Sequence, residues 1–306
     1  MLRSTILAAA AHPAVRRLVS TAPITGGLVR RFVAGETTEQ AVAAAGALVA
    51  DGLTVTVDHL GESISDEPGA EATVRAYQDL LDGLRDAGLA DRAEVSVKLS
   101  AVGQQLDKAL ALRNVSRICA AAQLTGTTVT LDAEDHTTTD STLAVLAELR
   151  HQWPGTGAVL QAYLRRTLDD CRALAVSGSR VRLCKGAYAE PGEVAYREAQ
   201  EVARSFVRCA NVLLAGSGYP MFATHDPRLV AIVGERARWH GRAPGTFEYQ
   251  MLYGIRPAEQ RRLAAAGDTV RVYLPYGSDW YAYLVRRIAE RPANVAFTLR
   301  AIVSTR

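Results

Sequence analysis

Eight short runs rich in β-branched and aromatic residues recur along this chain at a nearly constant interval. They are LTVTVDHL (53–60), EVSVKLS (94–100), TTVTLDAE (127–134), AVLQAYL (158–164), RVRLCKGAY (180–188), YPMFATHD (219–226), GTFEYQML (245–252) and TVRVYLP (269–275). Their starts are separated by steps averaging roughly 31 residues, the length that a strand, a crossover helix and a return to parallel pairing require. Amphipathic stretches fill the intervals, among them 69–88, 141–153 and 193–214. Eight such units predict an α/β fold of the (β/α)8 TIM-like barrel class. A doubly wound dinucleotide sheet is the weaker alternative, because it needs a glycine fingerprint between strand and helix. The one GSG, at 216–218, runs into Tyr-Pro instead.

Residues 51–306 are therefore expected to form the barrel, with a final helix over its mouth. Residues 1–50 are expected to form a helical segment packed on it, punctuated by Pro13 and Pro23. The opening MLRSTILAAAAHPAVRRLVS resembles a secretion signal only weakly, its apolar stretch being short and mostly alanine. With 35 basic and 32 acidic residues the net charge is +3, which gives no electrostatic case for a nucleic-acid partner. No apolar run reaches the roughly 18 residues of a membrane span. Cys119, Cys171, Cys184 and Cys209 form no C-x-x-C pair and carry no zinc spacing, so reduced thiols and a cytoplasmic setting are expected.

In such a barrel chemistry collects at the C-terminal strand ends. Those ends carry Asp58 and His59, Lys98, Asp132 and Glu134, Gln161, Arg182 and Lys185, Thr224 and His225, Glu248 and Gln250, and Tyr273. Only three of the 35 basic residues are lysines, and two of them, Lys98 and Lys185, fall in strand runs. A lysine there can form a Schiff base, bind a carboxylate or contact a phosphate or flavin; the bland alternative is an amine snorkelling to solvent. Asp132 and Glu134, on either side of Ala133, are read as pointing apart and not as a catalytic dyad. His225 fits a base, a metal ligand, a stacking group or a structural residue.

After the last run, a helix of about twelve residues is expected between the Ser278/Asp279 cap and Pro292. It brings Tyr283, Arg286, Arg287 and Glu290 to one face at i, i+3, i+4 and i+7. Two adjacent guanidiniums can clamp one carboxylate, with Glu290 holding a fork in place. A solvated Arg–Glu face is the alternative.

Taken together, RFVAGET (31–37), DHLGE (58–62), VKLSA (97–101), LDAE (131–134), QAYLRR (161–166), RLCKGAY (182–188), ATHDP (223–227), FEYQMLYG (247–254) and RVYLPYGSDWYAYLVRRIAE (271–290) resemble the proline dehydrogenase family in its short single-function bacterial form. The resemblance implies an FAD-dependent barrel that oxidises L-proline to Δ1-pyrroline-5-carboxylate by hydride transfer to flavin N5. It implies that Gln161, Arg182, Lys185, Gly186, Ala187, Thr224 and His225 hold FAD, with Ala133 touching it through its backbone. Lys98, Arg286 and Arg287 match the proline carboxylate site, and Asp132, Tyr188, Leu252, Tyr273 and Tyr283 match the pocket around the ring. Asp132 and Arg182 stand at the catalytic positions, and Glu290 matches an acid that anchors an arginine. A membrane quinone is the implied electron acceptor, reached by peripheral contact, and a separate pyrroline-5-carboxylate dehydrogenase the implied consumer of product. Tyr273 matches a position that is small in hydroxyproline-specific relatives. Two departures stand out: Ala189 replaces the tryptophan of bifunctional members, and Asp226 replaces the asparagine of ATHN, adding a negative charge beside the flavin site. A Schiff-base aldolase on the same barrel and a non-catalytic flavin or amino-acid sensor are the competing functions.

Overall fold

In the computed structural model, which describes residues 25–61 and 64–290, eight parallel strands close into a barrel in strict sequence order. They are β1 (Thr54–His59), β2 (Ala93–Val97), β3 (Val129–Leu131), β4 (Gly157–Gln161), β5 (Arg180–Cys184), β6 (Tyr219–Ala223), β7 (Glu248–Leu252) and β8 (Val270–Tyr276). Each lies inside a run read from the sequence or within one residue of it. Helices α1 (Thr25–Phe32) and α2 (Thr38–Ala50) precede β1. The crossovers are α3 (Glu67–Asp86), α4 (Lys108–Thr125), α5 (Thr139–Arg150), α6 (Thr167–Leu174), α7 (Ala199–Ala215), α8 (Pro227–Trp239) and α9 (Pro257–Ala265), and α10 (Trp280–Glu290) follows β8. No helix among the described residues is long and apolar enough to cross a membrane.

Strand alternation explains how the layers form. Outward residues such as Val55, Val57, Val95, Val97, Leu160, Val181, Phe222 and Val272 are aliphatic or aromatic and fully buried under the helices. Ala41 and Ala45 of α2 lie in the same buried cluster as Val55 and Val57, so α2 packs directly on the barrel. Helix starts are fixed by side-chain caps. Thr37 and Gln40 form a reciprocal capping box at α2, Asp66 accepts from Gly69 N at α3, and Asp107 accepts from Ala109 N at α4.

The inward residues depart from the aliphatic filling that such barrels usually carry. Glu94, Arg180, Glu248 and Arg271 meet toward the N-terminal end of the bore. Arg180 pairs with Glu94, and Arg271 donates to Glu248 Oε1 at 2.7 Å and lies 3.8 Å from Glu94. Thr56 and Tyr219 hydroxyls also donate to these acids, to Glu94 at 2.8 Å and Glu248 at 3.0 Å. Burial alone would raise the Glu94 carboxyl, but Arg180, Arg271 and Arg182 together hold it far below the ordinary carboxylate range.

The RFVAGET motif has a structural role: Ala34 N bonds Pro275 O (2.9 Å), Gly277 N bonds Gly35 O (2.9 Å), and Trp280 Nε1 donates to Glu36 (3.1 Å). It thereby seats the start of α10 against the end of β8.

Glu94→Gln removes the anion that three guanidiniums share. It should cost about 3–5 kcal/mol of stability at pH 7, because Arg180 loses its carboxylate and Arg182 and Arg271 lose part of their compensation. Since the folded-state carboxyl is depressed, its contribution is full above the unfolded value near 4.5 and shrinks as pH falls below it. Denaturant titrations at pH 7 and pH 4 should show the gap between wild type and variant narrowing. An equal gap at both would assign the loss to packing instead.

Candidate active site

The C-terminal strand ends and the loops beyond them enclose a cavity of about 730 Å³. Its inner end continues the charged bore. Lys98, the residue after β2, is only 8% exposed and donates to both Asp58 oxygens at 2.8 Å, with Asp132 at 3.7 Å. The snorkelling alternative for Lys98 fails, since its amine points into the barrel. Arg182 bridges outward from the bore: Nη1 reaches Asp132 Oδ1 at 2.8 Å and Ser96 Oγ at 3.1 Å, Nε donates to Gln250, and Nη2 lies 3.7 Å from Glu94. Tyr273 donates to Asp132 Oδ2 at 2.6 Å while its ring lies under the Arg182 guanidinium, 5.3 Å from the centroid.

These contacts set the charge states. Burial pushes Asp58 up to about 6 against the pull of Lys98, with Asp132 adding repulsion. For Asp132, burial is outweighed by Lys98, Arg182 and the Tyr273 hydroxyl, and the carboxyl falls below its ordinary value. Burial and the neighbouring carboxylates raise the Tyr273 phenol well above its usual range, so it stays a donor. Burial also lifts the thiol of the cavity-lining Cys184 to about 11, which favours its protonated form.

Asp132 and Glu134 do point apart, though strand alternation is not the reason, since residues two apart in a strand share a face. β3 ends at Leu131, and the chain turns there. Asp132 enters the bore, whereas Glu134 accepts from Ser100 N at 3.0 Å and from the Ser100 hydroxyl. The Glu134 carbonyl in turn accepts from Gln161 Nε2 at 2.7 Å.

Most of the other candidate residues whose side chains are described line this same cavity, though His59, Glu134 and Glu248 do not. Gln161 ends β4, and Ala133, Lys185, Gly186, Ala187 and Tyr188 come from the loops after β3 and β5. Thr224, His225 and Leu252 close the opposite side, and Tyr283 descends from α10. Tyr283 is buried with Leu284, Val33 and Leu60, so the helix is wedged on its first turns between the mouth and the RFVAGET segment. Arg286, Arg287 and Glu290 continue α10, but their side chains lie outside the described residues.

His225 Nε2 accepts from Leu252 N at 2.9 Å, which commits one ring nitrogen to tying the end of β6 to β7. The His225 carbonyl accepts from Arg256, the one non-glycine residue with positive φ (51°) among those described. Asp226 caps α8 through Arg228 N (3.1 Å) and pairs with Lys185 (3.1 Å). Its additional charge is therefore met by a lysine. Sequence reasoning missed Glu94, Arg180, Arg271, Ser96 and Arg256. Polar residues two apart in otherwise aliphatic strands (Glu94/Ser96, Arg180/Arg182, Arg271/Tyr273) were the available signal for the first three.

The sequence matches the family profile described as Proline dehydrogenase over residues 41–300. It is 40% identical to "Proline dehydrogenase" of Deinococcus radiodurans over 99% of this chain and 98% of that protein. To "Proline dehydrogenase 1" of Bacillus subtilis (strain 168) it is 37% identical over 90% of each. "Bifunctional protein PutA" of Escherichia coli (strain K12) is 29% identical over 96% of this chain but 25% of that protein. Among solved structures, proline utilization A from Bdellovibrio bacteriovorus, inactivated by N-propargylglycine, superposes with a TM-score of 0.82 at 26% identity. That match covers 87% of this chain, which spans about a third (33%) of the solved protein's length. With the profile spanning most of the barrel and two near-full-length relatives above the 30% level, the chain belongs to the proline dehydrogenase family.

Proposed function

We propose that this chain is an FAD-dependent L-proline dehydrogenase that yields Δ1-pyrroline-5-carboxylate, passes electrons to a membrane quinone and releases its product to a separate dehydrogenase. The observation that carries the reading is the convergence of Lys98, Asp132, Arg182, Lys185, Tyr273 and Tyr283 on one cavity inside the family's barrel.

The cavity suits a flavin dinucleotide. Its volume falls within the roughly 300–1,000 Å³ of cofactor clefts. Val159, Met251 and Leu252 supply apolar walls for a ring system, Arg182 and Gln161 supply deep donors, and Lys185 and Arg228 place cations toward phosphates. Bound there, FAD supplies a two-electron acceptor. Lys98 holds the substrate carboxylate together with Arg286 and Arg287, and Tyr188, Leu252, Tyr273 and Tyr283 wall the ring. Positioning of this kind provides most of the rate gain available when the cofactor carries the chemistry. The cationic groups around the substrate nitrogen favour its neutral amine, the form whose lone pair can assist loss of hydride from the adjacent carbon. Tyr283 and Leu284 of α10, packed on Val33 and Leu60, keep water from that end of the cavity.

The aldolase reading loses ground on geometry. A Schiff-base lysine must be neutral to attack, yet Asp58 and Asp132 flank Lys98, and Asp226 stands 3.1 Å from Lys185. Both amines are engaged by carboxylates.

Protein purified with FAD should be yellow and should bleach on anaerobic addition of L-proline. A flavin that no cyclic amino acid bleaches would favour the sensor, and a colourless protein trapped with a carbonyl compound by borohydride the aldolase. Arg286→Met or Arg287→Met should weaken proline binding by about 2–4 kcal/mol, read as a raised half-saturating proline concentration at unchanged flavin content. Unchanged saturation would leave both arginines on a solvated face.

Substrate choice follows from Tyr273. Its hydroxyl is already committed to Asp132, so a 4-hydroxyl on the ring would meet a filled aromatic wall without a polar partner. An unpaired polar group costs about 1–3 kcal/mol. L-proline should be preferred to trans-4-hydroxy-L-proline. Tyr273→Ser should narrow the preference by lowering proline efficiency more than hydroxyproline efficiency, and equal efficiencies in the wild type would show that Tyr273 does not set it.

A further inference from the structure

The segment between β5 and α7, residues 185–198, is long for a strand-to-helix connection, most of which take roughly 2–6 residues. Its first four residues, Lys185 to Tyr188, line the cavity, and its remainder does not. The distal part is stitched to the loop after β4: Arg165 N bonds Val194 O (2.9 Å), Tyr196 N bonds Tyr163 O (2.8 Å), and Arg165 donates to Gly192 O (3.1 Å). At the proximal end, Tyr163 N bonds Lys185 O at 2.9 Å. Gly186 lies flat on the Tyr163 ring at φ +107, so close that a Cβ there would fall 2.2 Å from a ring carbon.

Between these anchors stands Glu190, its side chain 5% exposed although Ala189 and Pro191 on either side are exposed. One oxygen accepts from His136 N at 3.0 Å and from the Tyr163 hydroxyl at 3.2 Å, and the other meets His136 Nδ1. His136 belongs to the loop after β3 and Tyr163 to the loop after β4. A single buried carboxylate therefore ties three consecutive loops together two residues beyond Tyr188. Burying it costs free energy unless its partners are held in place, so the three loops are fixed as one unit. None of these three side chains reaches the cavity.

We propose that Glu190 is a positioning residue, which fixes the Lys185–Tyr188 strap over the cavity and so sets how long the flavin is retained. The inference rests on the flavin reading of the cavity given above. The Tyr163 hydroxyl that bonds Glu190 also meets the Tyr188 backbone, so without Glu190 the support under the middle of the strap, which faces the flavin, loosens.

The test compares flavin release from FAD-loaded enzyme, followed by fluorescence recovery after dilution, alongside unfolding midpoints of the flavin-free proteins. Glu190→Ala should release flavin about tenfold faster or more, as expected for loss of charge-assisted hydrogen bonds. Tyr163→Phe, which removes one oxygen atom, should release it a few-fold faster. The double variant should release flavin more slowly than the product of the two single effects would give, because Glu190 and Tyr163 share a contact. L-proline should still bleach whatever flavin remains bound, since no cavity-lining side chain has changed. Wild-type release rates from a Glu190→Ala protein with a wild-type unfolding midpoint would overturn the proposal. If Glu190→Ala does not fold, wild-type release from Tyr163→Phe would overturn it. A wild type that retains no flavin after incubation with FAD would instead overturn the reading of the cavity, and the inference with it.

Discussion

The interior of this barrel is held by charge compensation along its axis, and the cavity at its mouth depends on that. Glu94, Glu248, Asp132 and Asp58 alternate with Arg271, Arg180, Arg182 and Lys98, so that each carboxylate meets at least one cation. Buried ion pairs seldom add stability over well-packed aliphatics, since the desolvation of each group offsets its attraction. An aliphatic bore would nevertheless give Arg182 nothing to stand on. Glu94 from below and Asp132 from above fix that guanidinium, and Gln250 and Ser96 fix its plane. The bore thus projects a positive group of set orientation to the inner end of the cavity, where water cannot screen it.

The same ladder explains why neighbouring carboxylates differ in charge state. Asp132 faces Lys98, Arg182 and the Tyr273 phenol, which hold its carboxyl low, whereas Asp58, more deeply buried and with Lys98 as its one cation, is raised to about 6. Two acids that share one lysine are pushed apart in this way wherever their other neighbours differ. Asp132 remains a reliable anion beside Arg182 and Tyr273.

Much of this was legible in the sequence, and the reason is periodicity. Aliphatic residues at alternate positions in eight evenly spaced runs specify parallel strands covered by helices, whatever fills the bore. The strand-end residues followed from the same register. Boundaries were less legible where tertiary contacts override helical pattern: the stretch 193–214 reads as one helix, yet α7 begins at Ala199 because Val194 and Tyr196 pair with the loop after β4. The lower rungs of the ladder escaped notice because Glu94, Arg180 and Arg271 look like solvent-facing alternates. In an antiparallel sheet that reading is sound, but a closed barrel has no solvent on its inner side. Glu190 was invisible for another reason, its partners lying 27 and 54 positions away on loops with no periodic signal.

The lysines show how composition and geometry meet. In a chain that uses arginine almost everywhere, lysine survives at Lys98, Lys185 and the exposed Lys108. At Lys98 one ammonium serves both oxygens of Asp58 and approaches Asp132 from the end of a strand. A guanidinium is planar and forked, and it would meet one carboxylate well while projecting past the other into the cavity. Lys185, by contrast, is met by a single carboxylate, Asp226, which is fixed by its role as the cap of α8. A compact charge on a flexible stem can leave such a partner for a bound anion at the cost of one hydrogen bond. A guanidinium held in a two-pronged contact would have to break two.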